Sequence, residues 1–230
     1  MQSRVRTTVW PLAFSLLLAA CGGEEDDGGA PPDPNPWAGK TYLLTIDPDF
    51  WVEPPGVGED IGEFVPQFLL SVGEGSAPEV TIATALNGAQ DQCNATTDVT
   101  GSADSPESSA HAEDFLLHIV HPRIDVTVDL NVHDLTFTNV LPGGDLEGEL
   151  SVEMDVNEAY VLFDLVPESS RTPEGVCTIL GMADAPCVPC SFGSGEARCL
   201  VLKAVQLQAE ETSIAVEPIA AADRDPSCTP

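Results

Sequence analysis

The sequence predicts a mostly β domain: an antiparallel β-sandwich or partly closed barrel with two short helices braced by disulfides. Three observations predict it. Apolar and polar residues alternate over long runs in the middle of the chain, 20 prolines and 19 glycines in 230 residues punctuate those runs, and six of the seven cysteines lie beyond residue 90. A period of two is the pattern of strands that bury one face and solvate the other. Hydrophobic residues make up 43% of the chain, enough for one packed core.

The elements follow in order. Residues 1–20 read as an export signal: Arg4 and Arg6 give a positive start, and the twelve residues Val9 to Ala20 are apolar but too few to span a bilayer. Leu18-Ala19-Ala20-Cys21 resembles the lipobox of bacterial lipoproteins, in which leucine and two small residues precede a cysteine. That resemblance implies cleavage before Cys21, a diacylglyceryl group on its thiol and acylation of the new amino group. Two or three chains make such an anchor lasting, because each buried methylene adds about 0.8 kcal/mol. Gly22 follows, not Asp, which by the enterobacterial sorting rule implies the outer membrane.

Apart from the cysteine and four prolines, residues 21–36 (CGGEEDDGGAPPDPNP) hold no apolar side chain larger than alanine. Such a stretch cannot offset its conformational entropy and is extended by its own charge, so it is expected to be a tether. Glu24 to Asp27 lack the fixed oxygen cage that calcium requires. The domain is expected over 37–219, with 220–230 a loose tail.

Lys40 to Ile46 alternates as a first strand. A proline-glycine loop, Pro48 to Gly62, carries Phe50 and Trp51, which either lap over the core, the favoured reading, or form an exposed binding patch. Gln67 to Val72 and Val80 to Leu86 are further strands, with a turn-rich GEGSAP between them. Ile124, Val126, Val128, Leu130 and Val132 then alternate against polar neighbours. Leu135 and Phe137 fall out of phase, as an inserted residue near His133-Asp134 would cause, so a bulge is expected there. Alternation resumes from Leu146 to Met154.

Asp155 to Glu158 fits a capping box for a short helix ending at Pro167, with Glu158 reaching back. Thr172-Pro173 starts a second helix that stops at Gly181. Cys199 to Leu207 forms a last strand, and Ile214 to Val216 is a candidate for one more.

Function is bounded more than it is named. The balance of 8 Lys+Arg against 38 Asp+Glu gives a net charge of -30, and loss of residues 1–20 leaves 6 against 38, or -32. Such a chain repels phosphate, so nucleic acid is not an expected partner.

With Cys21 given to lipid, Cys93, Cys177, Cys187, Cys190, Cys199 and Cys228 are an even set in an exported chain and are read as three disulfides, among 15 connectivities. The expected pairs are 177 with 190, 187 with 199, and 93 with 228. Cys187-Val188-Pro189-Cys190 precedes a turn and not a helix, so it lacks the setting that activates a redox thiol. His111, His118, His121 and His133 are read as surface or rim residues; on a strand, His118 and His121 face opposite ways. His111-Ala112-Glu113 is not HExxH, and Gly193-Ser194-Gly195 is not a nucleophile elbow. No catalytic, cofactor-binding or metal-binding residue is assigned.

Trp37-Ala38-Gly39-Lys40-Thr41-Tyr42, Trp51-Val52-Glu53-Pro54-Pro55-Gly56 and the late cysteine cluster together resemble a group of uncharacterised lipid-anchored bacterial exported proteins, which implies no known activity. The tryptophan and glycine at the first strand are also similar to the lipocalin start, in inverted order. The expectation is a cell-envelope lipoprotein, periplasmic or surface-exposed. It would be held to the membrane by its lipid and would bind a protein or small molecule, or serve envelope structure, without catalysis. The alternatives are a lipocalin-like carrier of a small hydrophobic ligand and a hydrolase whose site is assembled from distant residues.

Overall fold

The computed structural model describes residues 35–54, 65–74, 79–102, 107–121, 123, 126–143, 146–164, 166–193 and 198–228, all within one compact unit that spans 34–230. The signal, Cys21, most of the tether and Ile124 lie outside the described residues.

Alternation is realised as twelve strands among the described residues: β1 (Thr41–Leu44), β2 (Trp51–Glu53), β3 (Gln67–Val72), β4 (Val80–Leu86), β5 (Ala89–Gln90), β6 (Thr97–Ser102), β7 (Ser109–His121), β8 (Val126–Thr138), β9 (Gly148–Asp155), β10 (Val188–Pro189), β11 (Arg198–Leu207) and β12 (Glu210–Thr212). Every pairing among them is antiparallel. Strands β3 and β4 have the bounds that their sequence predicts.

The strand order is β10-β11-β9-β8-β7-β6-β4-β3-β1-β12. Consecutive strands β11 and β12 therefore stand towards opposite ends of one sheet, which requires the sheet to curl. β12 pairs with β1 (Thr41↔Thr212), while the second edge of β11 takes β2 (Ala204↔Trp51). The result is the expected mostly β, partly closed barrel.

One corner lies in β6, which pairs with β4 through Thr97 to Val99 and then with β7 through Thr100 to Ser102. A Cβ added to Gly101 would collide with the Ser109 carbonyl oxygen, so this close approach requires glycine.

The inward residues fill the barrel. Phe68 of β3 meets Phe137 of β8 edge-on at 5.2 Å and Phe115 of β7 at 6.3 Å. The cavity beside Leu70, Val80 and Phe137 measures about 10 Å³, at the lower bound for one water. Outside the sheet, Leu69, Ala83 and Ala85 form a second apolar cluster against Leu43, Ile214 and Val216. Thus β3 and β4 are covered on both faces, which accounts for their nearly continuous apolar sequence. Ile214 to Val216 do not form the candidate strand; Ile214 and Val216 pack over the outer face without joining the sheet.

The expected bulge is present. Against β9 the register passes from His133↔Glu153 to Thr136↔Ser151, leaving one extra residue in β8, and Asp134 has φ 51°. Aspartate tolerates this left-handed conformation better than most residues. β7 changes phase at the same level: Ala110 and Ala112 are buried, then Phe115, Leu117 and Ile119. The β7–β8 register runs unbroken, so the two strands turn together.

Helix α1 (Val156–Ala159) is capped by Asp155, whose carboxylate accepts from the Asn157 amide at 2.8 Å. The reciprocal half of the box is absent, because Glu158 instead accepts from the Asn131 amide at 3.4 Å. Helix α2 (Pro173–Met182) starts at Thr172, whose hydroxyl accepts from the Gly175 amide, and continues one residue past Gly181.

The segment expected to be a loose tail is tied down. Arg224 donates to Asp129 at 2.9 Å and to the Cys93 carbonyl at 3.3 Å, and the Asp225 amide donates to the Gln92 carbonyl at 3.1 Å.

Candidate functional site

The six cysteines of the domain form three disulfides: Cys93–Cys228, Cys177–Cys187 and Cys190–Cys199, with Cα separations of 5.4, 5.4 and 5.0 Å. The first pair is the expected one. The other two correct the crossed pairing, because strand register and local reversal choose the partners. β10 lies against β11 with Val188 opposite Cys199, which brings Cys190 to the same strand, while the chain leaving α2 turns back so that Cys187 meets Cys177. Only α2 is braced in this way; α1 carries no cysteine. Three disulfides indicate an oxidising, exported compartment. No helix among the described residues is long and apolar enough to cross a membrane.

Phe50 and Trp51 lap over the core. Trp51 is 7% exposed and Phe50 packs against the same cluster, so the pair does not present the candidate patch. The Trp51 indole nitrogen is buried without a hydrogen-bond partner among the described residues.

The histidines are less superficial than expected. His121 is 5% exposed, and the His118 side chain is likewise 5% exposed, held at 2.8 Å by Asp129, which also takes Arg224. Arg224 first, and then His118, hold the Asp129 carboxyl below the usual carboxylate range against the opposing effect of burial. This triad clamps the C-terminal segment to β7 and β8.

His133 stacks on Phe192 at 3.4 Å and contacts Asp114 at 2.5 Å, on the outer face beside the β8 bulge. The Ser191 hydroxyl there lies 2.6 Å from an Asp134 oxygen and 3.0 Å from a Glu153 oxygen. His111 contacts Thr136 at 3.0 Å and Asp134 at 4.0 Å. Serine, carboxylate and imidazole are thus close but wrongly ordered for nucleophilic catalysis, which needs the imidazole to take the serine proton. What the cluster does is hold the 190–193 segment on the sheet. No group of three or more potential metal ligands occurs among the described residues.

Among the described residues, a recess lies at the end of the barrel between the start of β9 and the β11–β12 link. It is an open cleft of about 440 Å³ whose described lining includes Asn139, Leu141, Leu146, Glu147, Gln206 and Gln208. Several local devices build it. The Trp37 indole donates to the Pro142 carbonyl at 2.9 Å, which ties the chain after β8 to the start of the domain. The Ala209 amide donates to the Val140 carbonyl at 2.8 Å, tying the two walls. Gln206 is an extra residue in β11, between Val205↔Glu149 and Leu207↔Gly148. Gln206 and Asn139 have φ 59° and φ 53°, conformations that cost a residue other than glycine roughly 1 kcal/mol or more each. A Cβ on Gly148 would strike the Leu207 carbonyl oxygen.

Asn139 uses its side-chain oxygen on the Ser108 amide at 3.2 Å, whereas Gln206, Gln208 and Glu147 have no side-chain partner among the described residues. Leu146 is 57% exposed at the rim. Sequence reasoning missed this cleft, because its walls are far apart in the chain and the Gln206 bulge has no compositional sign. No family model, curated protein or solved structure matches this chain.

Proposed function

We propose that the chain is a lipid-anchored protein of the cell envelope, attached to the outer membrane through Cys21, whose β domain binds a partner and does not catalyse a reaction. The observation that carries this reading is the order of three features: an apolar export signal closing on Leu18-Ala19-Ala20-Cys21, an acidic Gly/Pro linker, and a domain with three disulfides. Each suits the same itinerary across the inner membrane into an oxidising space.

Charge supports a binding role and narrows the partner. Each of the six basic residues left after signal removal is engaged within the chain: Lys40 with Glu211, Arg123 with Asp164, Arg198 with Glu174, Lys203 with Glu149, Arg224 with Asp129, and Arg171 with the carbonyls of Asp164 and Val166. A surface that offers acids and already-paired bases disfavours nucleic acid and other anions. The carrier reading would need an interior cavity of several hundred cubic ångströms. The packing of Phe68 against Phe115 and Phe137 in the interior favours the binding reading over the carrier.

Fractionation of the producing cells tests the anchor. The native protein is expected in the membrane fraction and Cys21→Ser in the soluble envelope fraction; equal partitioning of the two would overturn the reading.

A further inference from the structure

We propose that residues 213–228 form a redox-locked strap: a dithiol reductant that opens Cys93–Cys228 releases them and uncovers the apolar outer face of β3 and β4. This goes beyond the binding reading and does not depend on the anchor.

The sheet ladder ends at Thr212, and no residue from 213 to 228 belongs to a strand. What holds the segment is a series of contacts that can be undone without breaking the sheet. The Gln90 side chain stands in for a peptide group, accepting from the Glu217 amide at 2.7 Å and donating to the Glu217 carbonyl at 2.8 Å. Thr96 repeats the arrangement: its amide donates to the Ile219 carbonyl and its hydroxyl accepts from the Ile219 amide, each at 2.9 Å. The bonds of Arg224 to Asp129 and of Asp225 to Gln92 come next, and the disulfide closes the series. Beneath the strap, Ile214 and Val216 pack over Leu69, Ala83 and Ala85, and Leu69 is fully buried.

With the bridge closed, both flanks of the segment are fixed, at β12 and at Cys93. With it open, only side-chain bonds and a small apolar contact hold it, the kind of segment that opens locally while the sheet stays folded. The step balances: one thiolate of the dithiol attacks a sulfur of Cys93–Cys228, and the second resolves the mixed disulfide. The reductant leaves as a disulfide, and Cys93 and Cys228 leave as thiols.

The other two bridges suit this role less. Cys190 and Cys199 are buried, closed to an attacking thiolate, whereas Cys93 and Cys228 are half-buried. Cys177–Cys187 is also half-buried, but it spans only 10 positions. Helix α2 and the short return after it keep those thiols near each other when opened, so that bridge recloses.

The test treats the native protein in detergent micelles with graded dithiothreitol, alkylates it with iodoacetamide and maps the products by mass spectrometry. Cys93 and Cys228 are expected to be alkylated at a reductant concentration about ten-fold below that needed for the other four cysteines of the domain. Trypsin then reads the strap. Cleavage after Arg224, which Asp129 holds in the closed form, should accelerate about ten-fold or more on reduction. Lys203, inside β11, should stay resistant.

Cys93→Ser with Cys228→Ser should give the fast cleavage without reductant and should admit hydroxyl-radical labelling at Leu69. Cys177→Ser with Cys187→Ser should leave Arg224 protected, which separates strap release from general loosening. Reduction of either other bridge before or together with Cys93–Cys228 would overturn the proposal, as would cleavage after Arg224 at the same rate in both redox states. So would cleavage after Lys203 as fast as after Arg224, or a Leu69 that stays unlabelled once the bridge is gone.

Discussion

Asp129 accepts from Arg224, 95 positions away, at 2.9 Å and contacts His118 at 2.8 Å, so one half-buried carboxylate joins the hairpin of β7 and β8 to the end of the chain. Its acidity is raised chiefly by the guanidinium. A carboxyl with a lowered folded-state pKa adds stability above its unfolded value and loses that increment as pH falls through the folded value. Asp129→Asn should therefore cost about 1–2 kcal/mol at neutral pH, between the ranges for exposed and buried pairs. The difference from the parent should shrink below about pH 4. Urea titrations at several pH values read both effects. None of this triad was legible, because a lone histidine on a strand says nothing about a tail a hundred residues later. The Asp134 bulge was legible, since inserting one residue changes the parity of every inward side chain that follows.

At the scale of elements, the strands with strict alternation were readable to within a residue or two, because burial of one face imposes the period directly. The corner in β6 was not, for it depends on a close approach of Gly101 to the Ser109 carbonyl and leaves no periodic mark. Gly101→Ala should cost about 3 kcal/mol or more, read as a fall in unfolding midpoint, since backbone and not a flexible side chain must give way. The disulfide count was readable but the pairing between 177 and 199 was not, because pairing follows from the β10–β11 register. Joining Cys93 to Cys228 closes a loop of 135 residues. Replacing both by serine should cost about 2–5 kcal/mol. Hydrogen exchange should then show early opening of residues 219–228, leaving β3 and β4 protected.

For the whole molecule, the physical account is one of an acidic shell over a filled barrel. Phe68, Phe115 and Phe137 pack together in the core, and the six basic residues beyond residue 20 are engaged in internal contacts, so the exposed surface offers acids, amides and scattered apolar groups. On the proposed reading, the amino terminus sets where that surface is displayed. The three disulfides speak to compartment, and the Cys21 motif carries the proposed anchor.

The most direct measurement is the intact mass of the native protein from membranes, taken before and after reduction. The account predicts a chain that begins at Cys21, carries a diacylglyceryl group with or without a further acyl chain, and gains six hydrogens on reduction of three disulfides. A chain that retains Met1, bears no lipid and keeps the same mass under reductant would contradict it.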